Sequence, residues 1–255
     1  MTKYEWLALR ETLDARFRSA RLAKAFMDHA RKTRLIVDLG CGTSANYRYL
    51  SRDGASKVPW RCIDNDDEVL KAAAEQCVSQ FVRFERADLA TELSMVPIGD
   101  DVSFTASAFL DIASEDWLCW FATIAAQSPV LISMTMSGTP VWDPIDELDE
   151  AIDRCLQSHQ QSDHGFGAAA GSHAAEFFAE QLTSRGCKVI FEQSGWQLGN
   201  QDSQVISALI DSIGRRASTM LARDQVDHWM AIRQTQNQNG ALTMQIPHLD
   251  LLSLP

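Results

Sequence analysis

The sequence predicts a doubly wound α/β fold, a mostly parallel sheet with helices on both faces, and three observations predict it. Short apolar runs of strand length alternate with helical stretches between about residues 35 and 136. Each intervening segment is long enough to return the chain to a parallel neighbour. The first run ends in Asp38-Leu39 and passes through Gly40 and Gly42 into a helix, the local pattern that places a ligand at the carboxyl end of a strand. With 255 residues and 45% hydrophobic content the chain can bury one full core, so one large domain, or one domain with a cap, is favoured over two equal halves.

Residues 1–34 form an N-terminal helical region, with the helix expected over 4–32. Its Trp6, Leu9, Leu13, Phe17, Leu22 and Phe26 are interleaved with charged residues, unlike the apolar run of a signal peptide. Strands are expected at 35–39, 58–63, 81–86, 102–106 and 130–136, with helices at 45–51, 67–77 and 115–126 between them. The stretch 137–172 interrupts this alternation. It is rich in Pro, Asp, Gln, His and Gly, carries an acidic helical piece near 145–158, and follows a strand end, so it is expected to be an inserted lid or substrate wall. A helix at 173–185 stopped by Gly186, a strand at 187–193, and helices at 203–221 and 224–236 follow. Asn239-Gly240 then turns the chain into a final run, 241–252.

Charge and cysteine usage limit the partners. A formal charge of −11 offers no positive field to neutralise nucleic-acid phosphates. No segment approaches the roughly 20 apolar residues of a membrane span. Six scattered cysteines without a Cys-x-x-Cys pair read as reduced thiols of a cytoplasmic protein rather than a disulfide or zinc framework, and no other metal-ligand spacing is evident. Leu209, Ile210, Ile213, Met220 and Leu221 are expected to pack on the protein's own sheet, with a homodimer face as the alternative.

The glycine loop, Asp38-Leu-Gly40-Cys-Gly42-Thr-Ser-Ala, admits two ligands by spacing alone. Gly40, Gly42 and Ala45 satisfy the G-x-G-x-x-G/A dinucleotide pattern, with Asp64 as a ribose partner. Asp38 argues for the other ligand, because an acid two residues before the first glycine attracts an ammonium group and gives an anionic pyrophosphate nothing. A second acid, Asp88, follows the third expected strand.

In these residues the sequence resembles the class I S-adenosylmethionine (SAM) dependent methyltransferase family, whose pattern is an acid, then Gly-x-Gly, then acids after the second and third strands. The matches are Asp38, Gly40 and Gly42 in DLGCGT, Asp64 in CIDND and Asp88 in ERADLA, within a resemblance spanning roughly residues 35–136. The resemblance implies a Rossmann-like seven-stranded sheet, mostly parallel with the last strand antiparallel, over a SAM-binding domain of 35–255. It implies that Gly40 and Gly42 line the methionine part of SAM, that Asp38 lies near its amino group, that Asp64 bonds the ribose hydroxyls, and that Asp88 bonds the adenine amine. The stretch DVSFTASAFLDI, residues 101–112, resembles the family's fourth strand and following loop, which face the methyl group and bring in Ser107. Ser44 departs from the family, many of whose members carry a third glycine there. No Asn-Pro-Pro-Tyr or Asp-Pro-Pro-Tyr motif follows the fourth strand, so the resemblance gives no sign of base amino methylation.

The activity so implied is methyl transfer to an O or N atom of a small molecule by in-line displacement. Transfer to a hydroxyl or ammonium requires a base, and His159 or His164, beside Asp163 in the expected lid and close to His173, is the expected one. Asp111 could orient an acceptor or, with Ser114, cap a helix. Trp142 and Trp196 are pocket walls or core residues, and the acids Asp143, Asp146, Glu147, Asp149, Glu150 and Asp153 form a solvated face or attract a cationic substrate. Two other functions share the glycine loop. An NAD(P)-dependent oxidoreductase would need a hydride-relay signature such as Tyr-x-x-x-Lys, and the three tyrosines all precede position 50. A SAM-binding regulatory protein would share the cofactor acids and lack turnover.

Overall fold

Side chains alternate along each strand, and the sheet follows from that period of two. In the computed structural model, which describes residues 3–52 and 57–255, Val37 and Leu39 of the first strand enter one core and Ile36 the opposite one. The first two positions of the expected N-terminal region lie outside the described residues. The chain runs α1 (Lys3–Phe17), α2 (Ala20–Ala30), β1 (Leu35–Leu39), α3 (Ala45–Ser51), β2 (Trp60–Asp64), α4 (Asp67–Gln76), β3 (Val82–Arg86), β4 (Val102–Ser107), α5 (Glu115–Ala125) and β5 (Val130–Met136). It continues through β6 (Val141–Asp143), α6 (Asp149–Gln160), α7 (Ala174–Thr183), β7 (Lys188–Gln193), β8 (Trp196–Leu198), α8 (Ser203–Ala217), α9 (Arg223–Gln238), β9 (Thr243–Ile246) and β10 (His248–Leu254).

Seven strands form the main sheet in the order β3-β2-β1-β4-β5-β10-β7, with β10 antiparallel to both of its neighbours. The last strand is therefore the antiparallel one, as expected. Helices α5 and α7 cover one face, where Phe121 sits 5.5 Å from Phe104 and 5.1 Å from Phe178. On the other face Leu22 and Phe26 of α2 pack over Ile36, Leu131 and Leu252.

Three elements differ from the sequence expectation. The helix expected over 4–32 is two helices, because Ser19 turns extended and caps α2 by accepting from the Leu22 amide at 2.9 Å. Asp250 fixes this break to the sheet. Its carboxylate accepts from the Ser19 amide and from the Met134 amide of neighbouring β5, each at 2.7 Å, where Met134 has φ of +56° and the β10 register shifts. The final run 241–252 is split at Pro247 into β9 and β10, since proline has no N–H to continue a ladder.

The segment 137–172 is tied to later parts of the chain. It contributes β6 to a second, three-stranded sheet, β6-β9-β8, built with strands from beyond residue 195. This sheet and α6, α8 and α9 share a third core containing Trp142, Trp196 and Trp229. Asp149 and Arg233 form a buried ion pair there, and Trp229 Nε1 donates to Asp149 Oδ1 at 2.9 Å. Leu209, Ile210 and Ile213, candidates for a dimer face, are buried in the same core, while Met220 is 57% exposed.

Candidate functional site

The site lies at the carboxyl ends of the parallel strands, where β1 passes into α3. Gly40 and Gly42 have φ of +62° and +54°, a region that L side chains rarely adopt. A Cβ at Gly40 would lie 2.4 Å from Phe109 Cδ2, so this glycine lets the loop following β4 pack against it. A Cβ at Gly42 would meet nothing within 4 Å. The second glycine therefore faces open space, and its missing side chain leaves the backbone accessible to a ligand. Ser44 is also left-handed, with φ of +62°, which explains why glycine suits this position in the family it resembles.

Asp38, at the end of β1, is fully buried. Asn46 of α3 donates to its Oδ1 at 2.9 Å and to Thr105 Oγ1 at 3.0 Å, while Arg18 donates to Asn46 Oδ1 at 2.7 Å. Asp38 Oδ2 has no hydrogen-bond partner among the described residues. Burial raises the carboxyl to about 7, against the opposing effects of Asn46 and Arg18. A buried carboxylate with a free oxygen is costly unless a donor or cation completes it.

A cavity of about 140 Å³ joins Asp38, Gly40, Gly42 and Ser107 to Arg10, Asp14 and Arg18 from the first helix and its end. Asp64 and Asp88 stand outside this cavity, at the ends of β2 and β3. Asp64 Oδ2 accepts from the Gly42 amide at 2.9 Å, so this acid already shapes the loop. Asp88 Oδ1 accepts from the Ala90 amide at 3.0 Å. The parallel pairing of β1, β2 and β3 sets the three acids along one edge.

A second cavity, about 510 Å³, brings together the three residues expected to act on an acceptor: Asp111, His159 and His164. Asp111 follows β4 and its Oδ1 has no hydrogen-bond partner among the described residues; burial raises its pKa. The rings of His159 and His164 are 5.3 Å apart, with His164 Nε2 3.1 Å from the His159 carbonyl. Burial and, less, the neighbouring Arg216 lower the His159 pKa. Met136, Leu156, Leu209 and Ile213 supply apolar wall, and Arg10 lines both cavities.

His173 is not part of this group; it pairs with Glu115 at 3.0 Å. Ser114 caps α5 by accepting from the Trp117 amide, without Asp111. Trp142 and Trp196 are core residues, and the cation over Trp142 is the protein's own Arg233, 5.2 Å from the ring centroid. Of the six acids, Asp149 is consumed by Arg233, and none lines the larger cavity. Sequence reasoning missed Arg10, Arg18 and Trp6. Their signal was weak, because nothing local says that α1 lies across the glycine loop.

No family model matches the chain, and no curated protein matches it. Among solved structures, the YcgJ protein of Bacillus subtilis superposes with a TM-score of 0.52 at 13% identity, covering 91% of this chain and 97% of that one. A protein of Bacillus halodurans C-125 assigned as a methyltransferase gives 0.50 at 12% identity, covering 92% and 97%. Together with the strand order and the antiparallel β10, these likenesses identify the fold of this chain as that of the class I SAM-dependent methyltransferases.

Proposed function

We propose that the protein is a SAM-dependent methyltransferase acting on an O or N atom of a small molecule. The observation that carries this reading is the free oxygen of buried Asp38 in the glycine cradle, which an ammonium group would complete. The pyrophosphate of a nicotinamide dinucleotide would instead bring negative charge against it. Within 35–255, taken as the cofactor-binding domain, Asp38 would hold the amino group of SAM, with Gly40, Gly42 and Ser107 lining its methionine part. The carboxylate of that part would meet Arg18 or Arg10. Asp64 would accept from the ribose hydroxyls and Asp88 from the adenine amine.

When bound, SAM supplies a methyl group on a sulfonium, whose departure leaves a neutral thioether. The protein's residues then have to bind, orient and deprotonate the acceptor. Orientation and exclusion of water account for about 7–11 kcal/mol in well-ordered systems. Asp111 is the first candidate for the base, because its raised pKa and free oxygen suit it to take a proton from the acceptor. His159 and His164 are the alternatives in the same cavity. Helices α1 and α2 would cover the cofactor, and part of 137–172 would wall the acceptor. The free cysteines suit a cytoplasmic setting, and among the described residues no helix is long and apolar enough to cross a membrane.

Formation of S-adenosylhomocysteine from SAM with a panel of small acceptors tests this reading. Asp111→Asn should lower kcat by about 10²–10⁴-fold if it is the base. Unchanged turnover in this variant, with loss in His159→Ala or His164→Ala, would move the role to a histidine. Tight SAM binding without turnover on any acceptor would favour a regulatory role.

A further inference from the structure

The walls of the cavity around Asp111, His159 and His164 carry a charge pattern opposite to that of the chain. In a protein of net charge −11, Arg10, Arg215 and Arg216 line this cavity against a single acid, Asp111. Arg10 is paired with Asp14 at 3.0 Å. Arg215 and Arg216 have no carboxylate partner among the described residues. Among the described residues the Arg216 side chain bonds only the Ser212 carbonyl, at 3.2 Å, and the Ser212 hydroxyl, and the Arg215 side chain makes no hydrogen bond.

Both arginines sit in the last turn of α8, where the helix dipole favours cations but does not require two side by side. They also line a neighbouring hollow of about 530 Å³, whose wall likewise includes His159. The cationic rim thus spans the outer end of the acceptor cavity. The pKa of Arg216 is lowered by burial and, less, by Arg215, and that of His159 by burial and, less, by Arg216.

We propose that Arg215 and Arg216 bind an anionic group, a carboxylate or phosphate ester, on an otherwise apolar small acceptor. Guanidinium groups match both anions by paired N–H donation. Met136, Leu209 and Ile213 take the apolar body, and the methylated O–H or N–H then lies toward Asp111 on a different element. The anion is a handle rather than the methylated group, because its lone pairs are taken up by the guanidinium donors. A polyanion is excluded by the charge of the surrounding surface.

This inference rests on reading the cavity as the acceptor site, and its test separates the two. Calorimetry with protein saturated in S-adenosylhomocysteine would compare 4-phenylbutanoate and 4-phenylbutyl phosphate with 4-phenylbutan-1-ol and 4-phenylbutylamine, four probes sharing one apolar body. At least one anion should bind about tenfold or more tightly than the alcohol and amine, and the tighter of the two identifies the handle as carboxylate or phosphate. The double variant Arg215→Gln/Arg216→Gln should lose this preference while keeping its affinity for S-adenosylhomocysteine and its melting temperature. Failure of S-adenosylhomocysteine to bind, with the anion preference intact, would sink the cofactor reading and leave the anion site standing. Equal binding of all four probes, no binding of either anion at millimolar concentration, or a preference that survives in the double variant would overturn it.

Discussion

Asp38 shows how one buried group links sequence, stability and ligand. Its carboxyl is raised from 3.8 to about 7, so between those values the folded protein keeps a proton that the unfolded chain has released. The contribution of this group to stability is therefore greatest in acid, falls as pH rises through that window, and levels off above about 7. An ammonium ligand reverses the shift by favouring the carboxylate. SAM binding at about pH 6 should therefore release up to one proton, seen as a dependence of the binding enthalpy on buffer ionisation, and Asp38→Asn should abolish the release. The two glycines separate in the same way. Gly40→Ala should lower the melting temperature, because its Cβ would collide with the Phe109 ring. Gly42→Ala has room, so it should cost only the left-handed strain of about 1–2 kcal/mol and weaken the ligand more than the fold. Asp38, Gly40, Gly42, Asp64 and Asp88 were legible because strand ends and turns impose them locally. Arg10 and Arg18 were not, because their roles arise from contacts between α1, α3 and the glycine loop.

At the scale of elements, β1 and β5 fall where the apolar runs put them, and β2, β3, β4 and β7 differ by a residue or two at their ends. Strands β6 and β8, three residues each, carry too short an alternation to read, and the sheet they form with β9 joins segments about a hundred residues apart. Polar anchors hold these late elements in place. Removing one partner of the Asp149–Arg233 pair leaves a buried charge uncompensated, so Asp149→Ala should destabilise the protein by about 3–5 kcal/mol in urea unfolding. Replacing both residues together, as Asp149→Leu/Arg233→Met, should restore much of that loss. Asp250→Ala would orphan the amides of Ser19 and Met134, at about 1–3 kcal/mol each. Because it loosens the start of α2, it should also weaken ligand binding beside Arg18.

For the molecule as a whole, the doubly wound sheet was legible because apolar patterning and crossover length determine it without reference to distant contacts. The cap was only partly so. An interruption at 137–172 was visible, but its pairing with β8 and β9 depends on where the chain returns after α9. Net charge was informative in one direction. It set the long-range field against polyanions while concealing the arginines that α8 gathers around the acceptor cavity.

Calorimetric titration of the protein with SAM, with NAD as the comparison ligand and Asp64→Ala as the site variant, tests the central claim most directly. SAM should bind at a single site, NAD should not compete with it, and the variant should lose affinity because Asp64 both shapes the Gly42 turn and would hold the ribose. Binding of NAD without binding of SAM would contradict the account.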